Sequence, residues 1–213
     1  MGNAKIFLET MKASGIREIY VPDESLQELK LLREQVLGCS QCSELVRNRH
    51  TIVFGSGNPK ADLLFVGEAP GAEEDRQGLP FVGPAGQLLT KMIQAIQLSR
   101  EEVFIANVLK CRPPGNRPPK PQEIENCEPF LKNQISLIHP KLICALGTFA
   151  AQTLLKTTTP ISALRGRFHQ YEGIPVLCTF HPSYLLRSPN EKKRAWEDLK
   201  EVRAFLDELK KEK

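Results

Sequence analysis

The sequence predicts an α/β protein, a parallel sheet covered by helices on both sides. Three observations predict it. Short apolar runs alternate with amphipathic helical stretches from residue 61 onward. Several of those runs stop at turns rich in Gly, Pro or Asn, as strands do at the sheet edge where α/β folds bind ligands. And 213 residues with 41% hydrophobic composition suffice for one full core.

In chain order, residues 3–14 and 23–37 read as helices. Asp23 is placed to cap the second, whose face is Leu26, Leu29, Leu32 and Val36. "ADLLFVGEAPG" (61–71) is a buried strand running into a turn, and "PAGQLLTKMIQAIQL" (84–98) a helix with Pro84 in its first turn. "EVFIANVLKC" (102–111) is a strand. "PQEIENCEPFLKNQISLIH" (121–139) is helical, with Pro129 expected to kink or divide it. "KLICALG" (141–147) is a strand, "TFAAQTLLK" (148–156) a helix, and "RFHQYEGIPVLCTF" (167–180) a hairpin or two strands. "NEKKRAWEDLKEVRAFLDEL" (190–209) closes the chain as an amphipathic helix, with Asn190 as cap and Trp196, Leu199, Val202, Leu206 and Leu209 facing inward. Residues 1–37 form a helical extension and 38–213 the main domain. Four loaded segments fall at strand ends: "GEAPG" (67–71), Asn107, the turn after "CALG", and "HPSYLLR" (181–187). One shared pocket would explain all four.

No apolar stretch reaches membrane-spanning length, and the N-terminus lacks a signal-peptide core and a myristoylation pattern, so a cytoplasmic protein is expected. The formal charge of +4 excludes little. The acid-free stretch "KCRPPGNRPPK" (110–120) is either a solvated loop or a phosphate-contacting surface. In a reducing compartment six cysteines point to a metal or to chemistry rather than to disulfides. Cys39 and Cys42 form a C-x-x-C pair, with Cys111 and Cys127 further along. Four thiolates can hold zinc or a [4Fe-4S] cluster, and the split second pair suits a cluster better. Cys144 and Cys178, inside apolar strands, read as small core residues.

Taken together, "GEAPGAEEDRQGLPFVGPAGQLL", "NVLKCRPPGNRPP", "CALG" and "HPSYLLR", in this order and with that cysteine set, closely resemble the iron–sulfur uracil-DNA glycosylases, the fourth family of their superfamily. The likeness runs from about Cys39 to about Arg187. It implies a three-layer α/β/α fold with a central four-stranded parallel sheet. It also implies a structural [4Fe-4S] cluster on Cys39, Cys42, Cys111 and Cys127, and a monomer that excises uracil from single- or double-stranded DNA.

The chemistry assigns roles at the positions that match. The target nucleotide must be turned out of the stack, and Leu185 or Leu186 can fill the gap as an apolar wedge; the plain alternative is that they are core. Bond cleavage puts negative charge on uracil O2, where a fixed donor is needed; His181 matches the family's histidine. Asn107 can accept from N3–H and donate to O4. Phe81 matches the aromatic that stacks on the base, and the resemblance places Gly67, Glu68 and Ala69 around uracil; the plain alternatives are that Asn107 caps a turn and Phe81 is core. Ala69 stands where other glycosylase families place an Asp. A carboxylate should orient water, as in glycoside hydrolysis; Glu74 is favoured, Asp75 second. Arg112, Arg117 and Arg187 are expected to grip DNA.

Two rivals remain at this level. One is a relative that traps uracil-DNA covalently; such relatives carry a histidine in the loop after the third cysteine and Gln in place of Ala69, and the loop "RPPGNRPPK" has no histidine, which counts against it. The other is a non-enzymatic metal-bearing module that only binds DNA or a polymerase.

Overall fold

The computed structural model describes residues 24–211. The expected helix over 3–14 and the Asp23 cap lie outside them. The strands are β1 (Ser56–Gly57), β2 (Leu63–Gly67), β3 (Phe104–Asn107), β4 (Leu142–Leu146), β5 (Phe168–Tyr171) and β6 (Ile174–Thr179). The helices are α1 (Glu24–Leu37), α2 (Ser43–Asn48), α3 (Ala72–Gln77), α4 (Pro84–Ala95), α5 (Pro121–Ile138), α6 (Thr148–Leu155), α7 (Ile161–Leu164), α8 (Pro182–Arg187) and α9 (Lys192–Lys211).

The sheet is six-stranded and mixed, where a four-stranded parallel one is expected. Its order is β1-β3-β2-β4-β6-β5; β3, β2, β4 and β6 pair in parallel, and β1 and β5 join the two edges antiparallel. β1 is two residues of Ser and Gly, too short to leave a period in the sequence. β5 and β6 form a hairpin. Glu172 and Gly173 both take positive φ (48° and 83°), which gives the primed turn that matches strand twist.

Every residue of β2, β3, β4 and β6 is buried, as strands covered on both faces must be. Alternate residues feed two cores. Leu64, Val66, Ile143, Ala145, Val176 and Cys178 meet α1, α5 and α6 on one face; Leu63, Phe65, Leu142, Cys144 and Leu177 meet α4 and α9 on the other. Cys144 and Cys178 are thus core residues, and burial pushes the Cys178 thiol up to about 12.

Two expectations are corrected. α5 runs unbroken through Pro129, which lies on the exposed side, where water can solvate the carbonyl that the ring leaves unpaired. α9 starts at Lys192 after a short 3-10 turn, Pro189–Glu191, so Asn190 is not its cap. Leu199, Val202 and Leu206 face inward as expected, joined by Ala195, Asp198 and Phe205, and Leu209 packs partly buried against the same core, whereas Trp196 is 40% exposed. Asp198, buried on that face, accepts from Thr179 Oγ1 at the end of β6 (2.6 Å) and from Arg165 Nε and Nη2 (3.0 and 2.5 Å).

Candidate active site

The parallel strands all end at one edge, and the loops beyond them enclose a cleft of about 700 Å³. Glu68, Ala69, Glu74, Phe81, Asn107, His181 and Arg187 all line it, so the four loaded segments do share one pocket.

Gly67 ends β2 beside Asn107, the last residue of β3. A Cβ on Gly67 would sit 2.4 Å from Asn107 Oδ1 and 2.5 Å from Phe81 Cζ, so only glycine lets these two side chains meet above it. Asn107 is 2% exposed, and its Oδ1 meets no donor among the described residues. A buried acceptor left unpaired costs about 1–3 kcal/mol. Such an acceptor is open to an N–H donor from a ligand.

His181 follows β6 and caps α8. Its Nδ1 accepts from Ser183 N (3.1 Å) and lies 2.7 Å from Ser183 Oγ. A ring nitrogen that accepts a backbone N–H carries no proton, so the neutral ring bears its hydrogen on Nε2, which is left free as a donor. Gly147, at φ +86°, permits the close approach behind the ring: a Cβ there would lie 2.8 Å from His181 Cβ. The imidazole stands 5.5 Å from the Phe81 ring, tilted 34°. Burial, then the Arg187 charge, holds His181 down at about 4, with Glu74 opposing.

This depression fixes a pH dependence. The unfolded chain protonates His181 at the ordinary value of 6.5, the folded one only at about 4. Between those values the unfolded state binds more protons, so stability falls as pH drops, by up to about 1.4 kcal/mol per unit. Above 6.5 the residue adds no slope. Melting temperature followed from pH 7 to 4 is expected to fall, and His181→Ala to flatten that part of the curve.

The acidic segment, residues 72–77, coils into α3. Glu74 Oε1 accepts from Val82 N (2.8 Å) and Gly83 N (2.9 Å), and Oε2 accepts from Gly71 N (3.1 Å). Asp75 faces away from the cleft. Its carboxylate accepts from the backbone of His50 (3.0 Å) and Thr51 (3.3 Å) and pairs with His50 Nδ1 (2.9 Å), so it fastens the chain before β1 instead of facing substrate. Glu68 has a carboxyl with no hydrogen-bond partner among the described residues, and burial pushes it up.

The expected DNA contacts divide. Leu185 is 1% exposed and belongs to the core, whereas Leu186 is 43% exposed at the tip. Arg187 is exposed at the mouth of the cleft. Arg112 Nε donates to Asn116 Oδ1 (2.8 Å) within its own loop. Arg117 grips Glu123 with two nitrogens (2.9 and 2.5 Å) and reaches Glu44 (3.2 Å), so it fastens α5 to α2; the Glu123 contact raises its already high pKa. Lys110 is not part of a basic surface. It is 1% exposed, its Nζ donates to Asn107 O (2.7 Å) and Gln134 Oε1 (2.5 Å), and burial lowers it to about 8.

Cys39, Cys42, Cys111 and Cys127 gather between α1, α2, the end of the β3 segment and α5, near enough to feel one another's charge. Burial raises the Cys111 thiol and pushes that of Cys127 up to about 11. Three sulfurs already have donors: Arg49 Nη1 to Cys111 (3.1 Å), Lys110 N to Cys127 (3.3 Å) and Asn126 Nδ2 to Cys42 (3.5 Å). Donors of this kind stabilise charge on thiolates that ligate iron. Among the described residues no group of three or more His, Cys, Asp or Glu could hold a metal ion as it stands.

Sequence reasoning missed Ser183, Arg49 and Arg100. Ser183 had a signal, since a Ser two residues after a His at a helix start can set its tautomer. Arg49 and Arg100 had none, because their partners are remote in sequence.

Residues 54–200 match the model of the uracil DNA glycosylase superfamily. The type-4 uracil-DNA glycosylase of Sulfurisphaera tokodaii is 42% identical over 84% of each chain. That of Archaeoglobus fulgidus is 40% identical over 83% of this chain and 92% of its own. That of Thermotoga maritima is 43% identical over 84% and 94%. Neutral histidine, unpaired asparagine and aromatic ring meet at the strand ends of a chain that belongs to the uracil DNA glycosylase superfamily, alongside its type-4 members.

Proposed function

We propose that this chain hydrolyses the N-glycosidic bond of deoxyuridine in DNA, releasing uracil and leaving an abasic site. One observation carries the reading: Asn107 Oδ1, buried and without a partner among the described residues, lies in the same cleft as a histidine held neutral whose Nε2 hydrogen meets no acceptor among them. Uracil supplies what both lack. Its N3–H donates to Asn107 Oδ1, and its O2 accepts from His181 Nε2. Cytosine, with an acceptor at N3, would leave Oδ1 unpaired. Phe81 stacks on the ring, and Gly67, Glu68 and Ala69 frame it.

As C1′–N1 breaks, its electron pair goes to uracil, and His181 stabilises the charge on O2 without giving up its proton. The sugar gains cationic character, which the fixed carboxylate of Glu74 offsets. Water then adds to C1′, one proton ending on uracil and the hydroxyl on the sugar. Leu186 is the exposed wedge. Arg187 and the free nitrogens of Arg112 contact phosphate, so affinity should fall steeply with salt.

The donor set of Cys39, Cys42, Cys111 and Cys127 suits a [4Fe-4S] cluster: four thiols, three of them already accepting hydrogen bonds. Such a cluster would tie α1, α2 and α5 to the β3 segment and serve structure. In this reading the protein acts as a monomer on single- or double-stranded DNA in the cytoplasm. No helix among the described residues is long and apolar enough to cross a membrane.

The test is incubation with oligonucleotides bearing one uracil, cytosine or thymine. Free uracil and an alkali-labile site from the first alone are expected. A stable protein–DNA adduct would favour the covalent-trapping rival, and binding without either product the non-enzymatic one. Visible absorption with a shoulder near roughly 400 nm, lost in Cys42→Ala, would identify the cluster.

A further inference from the structure

Phe81 holds its backbone at φ +52°, the left-handed region, which is a strained place for an aromatic residue. The turn around it is gripped from two sides. Arg100 Nη2 donates to Pro80 O (2.8 Å), and its Nη1 to Phe81 O (3.0 Å) and Thr90 Oγ1 (3.3 Å). Glu74 takes the next two amides, Val82 and Gly83. Gly86 leaves room underneath, since a Cβ there would fall 1.9 Å from Phe81 O. Arg100 makes no ion pair within 4 Å among the described residues, so its hydrogen bonds go to this turn and to α4. It is half-buried, and burial lowers its pKa, with Glu101 and Glu74 opposing.

We propose that Arg100 is a positioning residue for the base-stacking platform. Its planar fork bridges two successive carbonyls and keeps the Phe81 ring in its strained pose against His181. A strained residue persists only when its surroundings over-determine it. Without the fork the turn relaxes, and the ring leaves the place where a flipped base would lie on it. Lysine cannot substitute, because its donors all radiate from one nitrogen and lack the planar two-nitrogen fork that spans both carbonyls. The inference rests on the reading of Phe81 as the stacking partner of uracil.

The test compares Arg100→Met, Arg100→Lys, Phe81→Ala and Arg100→Met/Phe81→Ala. The readouts are competition by free uracil and the split between KM and kcat. Because stacking holds substrate and transition state alike, Arg100→Met should weaken uracil and raise KM roughly tenfold, the factor that about 1.4 kcal/mol of lost positioning gives, with kcat within about threefold. Arg100→Lys should behave the same way. In the Phe81→Ala background, Arg100→Met should change neither number.

Wild-type behaviour of either Arg100 variant, or an additive effect in the double variant, would overturn the inference while leaving the proposed function intact. Unchanged uracil binding in Phe81→Ala would instead remove the stacking reading beneath it. If Arg100→Met fails to fold, Thr90→Val, which takes away one anchor of the fork, replaces it. A smaller shift in the same direction supports the role, and none overturns it.

Discussion

His181→Ala is expected to lower kcat by about 10²–10³, the usual consequence of losing one fixed donor to a developing oxyanion. The size follows from how the ring is prepared. Ser183 N holds Nδ1 as an acceptor, so the hydrogen sits on Nε2 with no reorganisation needed. Burial keeps the ring neutral at every pH well above about 4. A neutral donor stabilises charge on uracil O2 without transferring its proton and without repelling the cationic sugar. DNA affinity should move by less than about threefold, because a donor matched to charge that appears only as the bond breaks contributes little before then. Single-turnover cleavage and equilibrium binding, measured on the same oligonucleotide, separate the two. Equal losses in both would mean that His181 anchors DNA and that another group meets the departing anion.

Asn107→Ala should lower kcat/KM by at least about a hundredfold, since a site built to pair with a substrate N–H discriminates strongly once that pairing is lost. The same change should not destabilise the free protein by the amount usual for truncating a buried polar residue. Among the described residues Oδ1 has no partner to lose. Removing it relieves a desolvation cost of about 1–3 kcal/mol, which offsets the small cavity left behind. An unchanged or raised melting temperature with much reduced uracil release is therefore the signature. A large fall in melting temperature would show that the side chain is structural.

Much of this was legible in the sequence. β2, β3, β4 and β6 announce themselves as short apolar runs because both faces are covered, and their ends carry Gly67, Asn107, Gly147 and His181 to one edge. What escaped depends on contacts between segments far apart in the chain. Glu74 and Asp75 are neighbours in an acidic run, and nothing local says that one faces the cleft while the other turns to residues 50 and 51. Arg117 looks like a phosphate ligand until Glu123 and Glu44 are found beside it. Leu185 and Leu186 are adjacent, and only the start of α8 decides which is core. Trp196 lies at the margin of the face that Leu199, Val202 and Leu206 define, and Ala195 and Asp198 take the inner positions beside it.

The Asp198 contact couples parts of the molecule that a schematic would draw separately. The last helix reaches the strand end beneath His181 through a buried acid with three donors, and Arg165, one of its partners, lies over the Phe180 ring at 5.1 Å. The C-terminal segment is therefore not an appendage that can fray independently. Local opening there would pull on the turn that carries the imidazole, so α9 and the cleft form one cooperative unit.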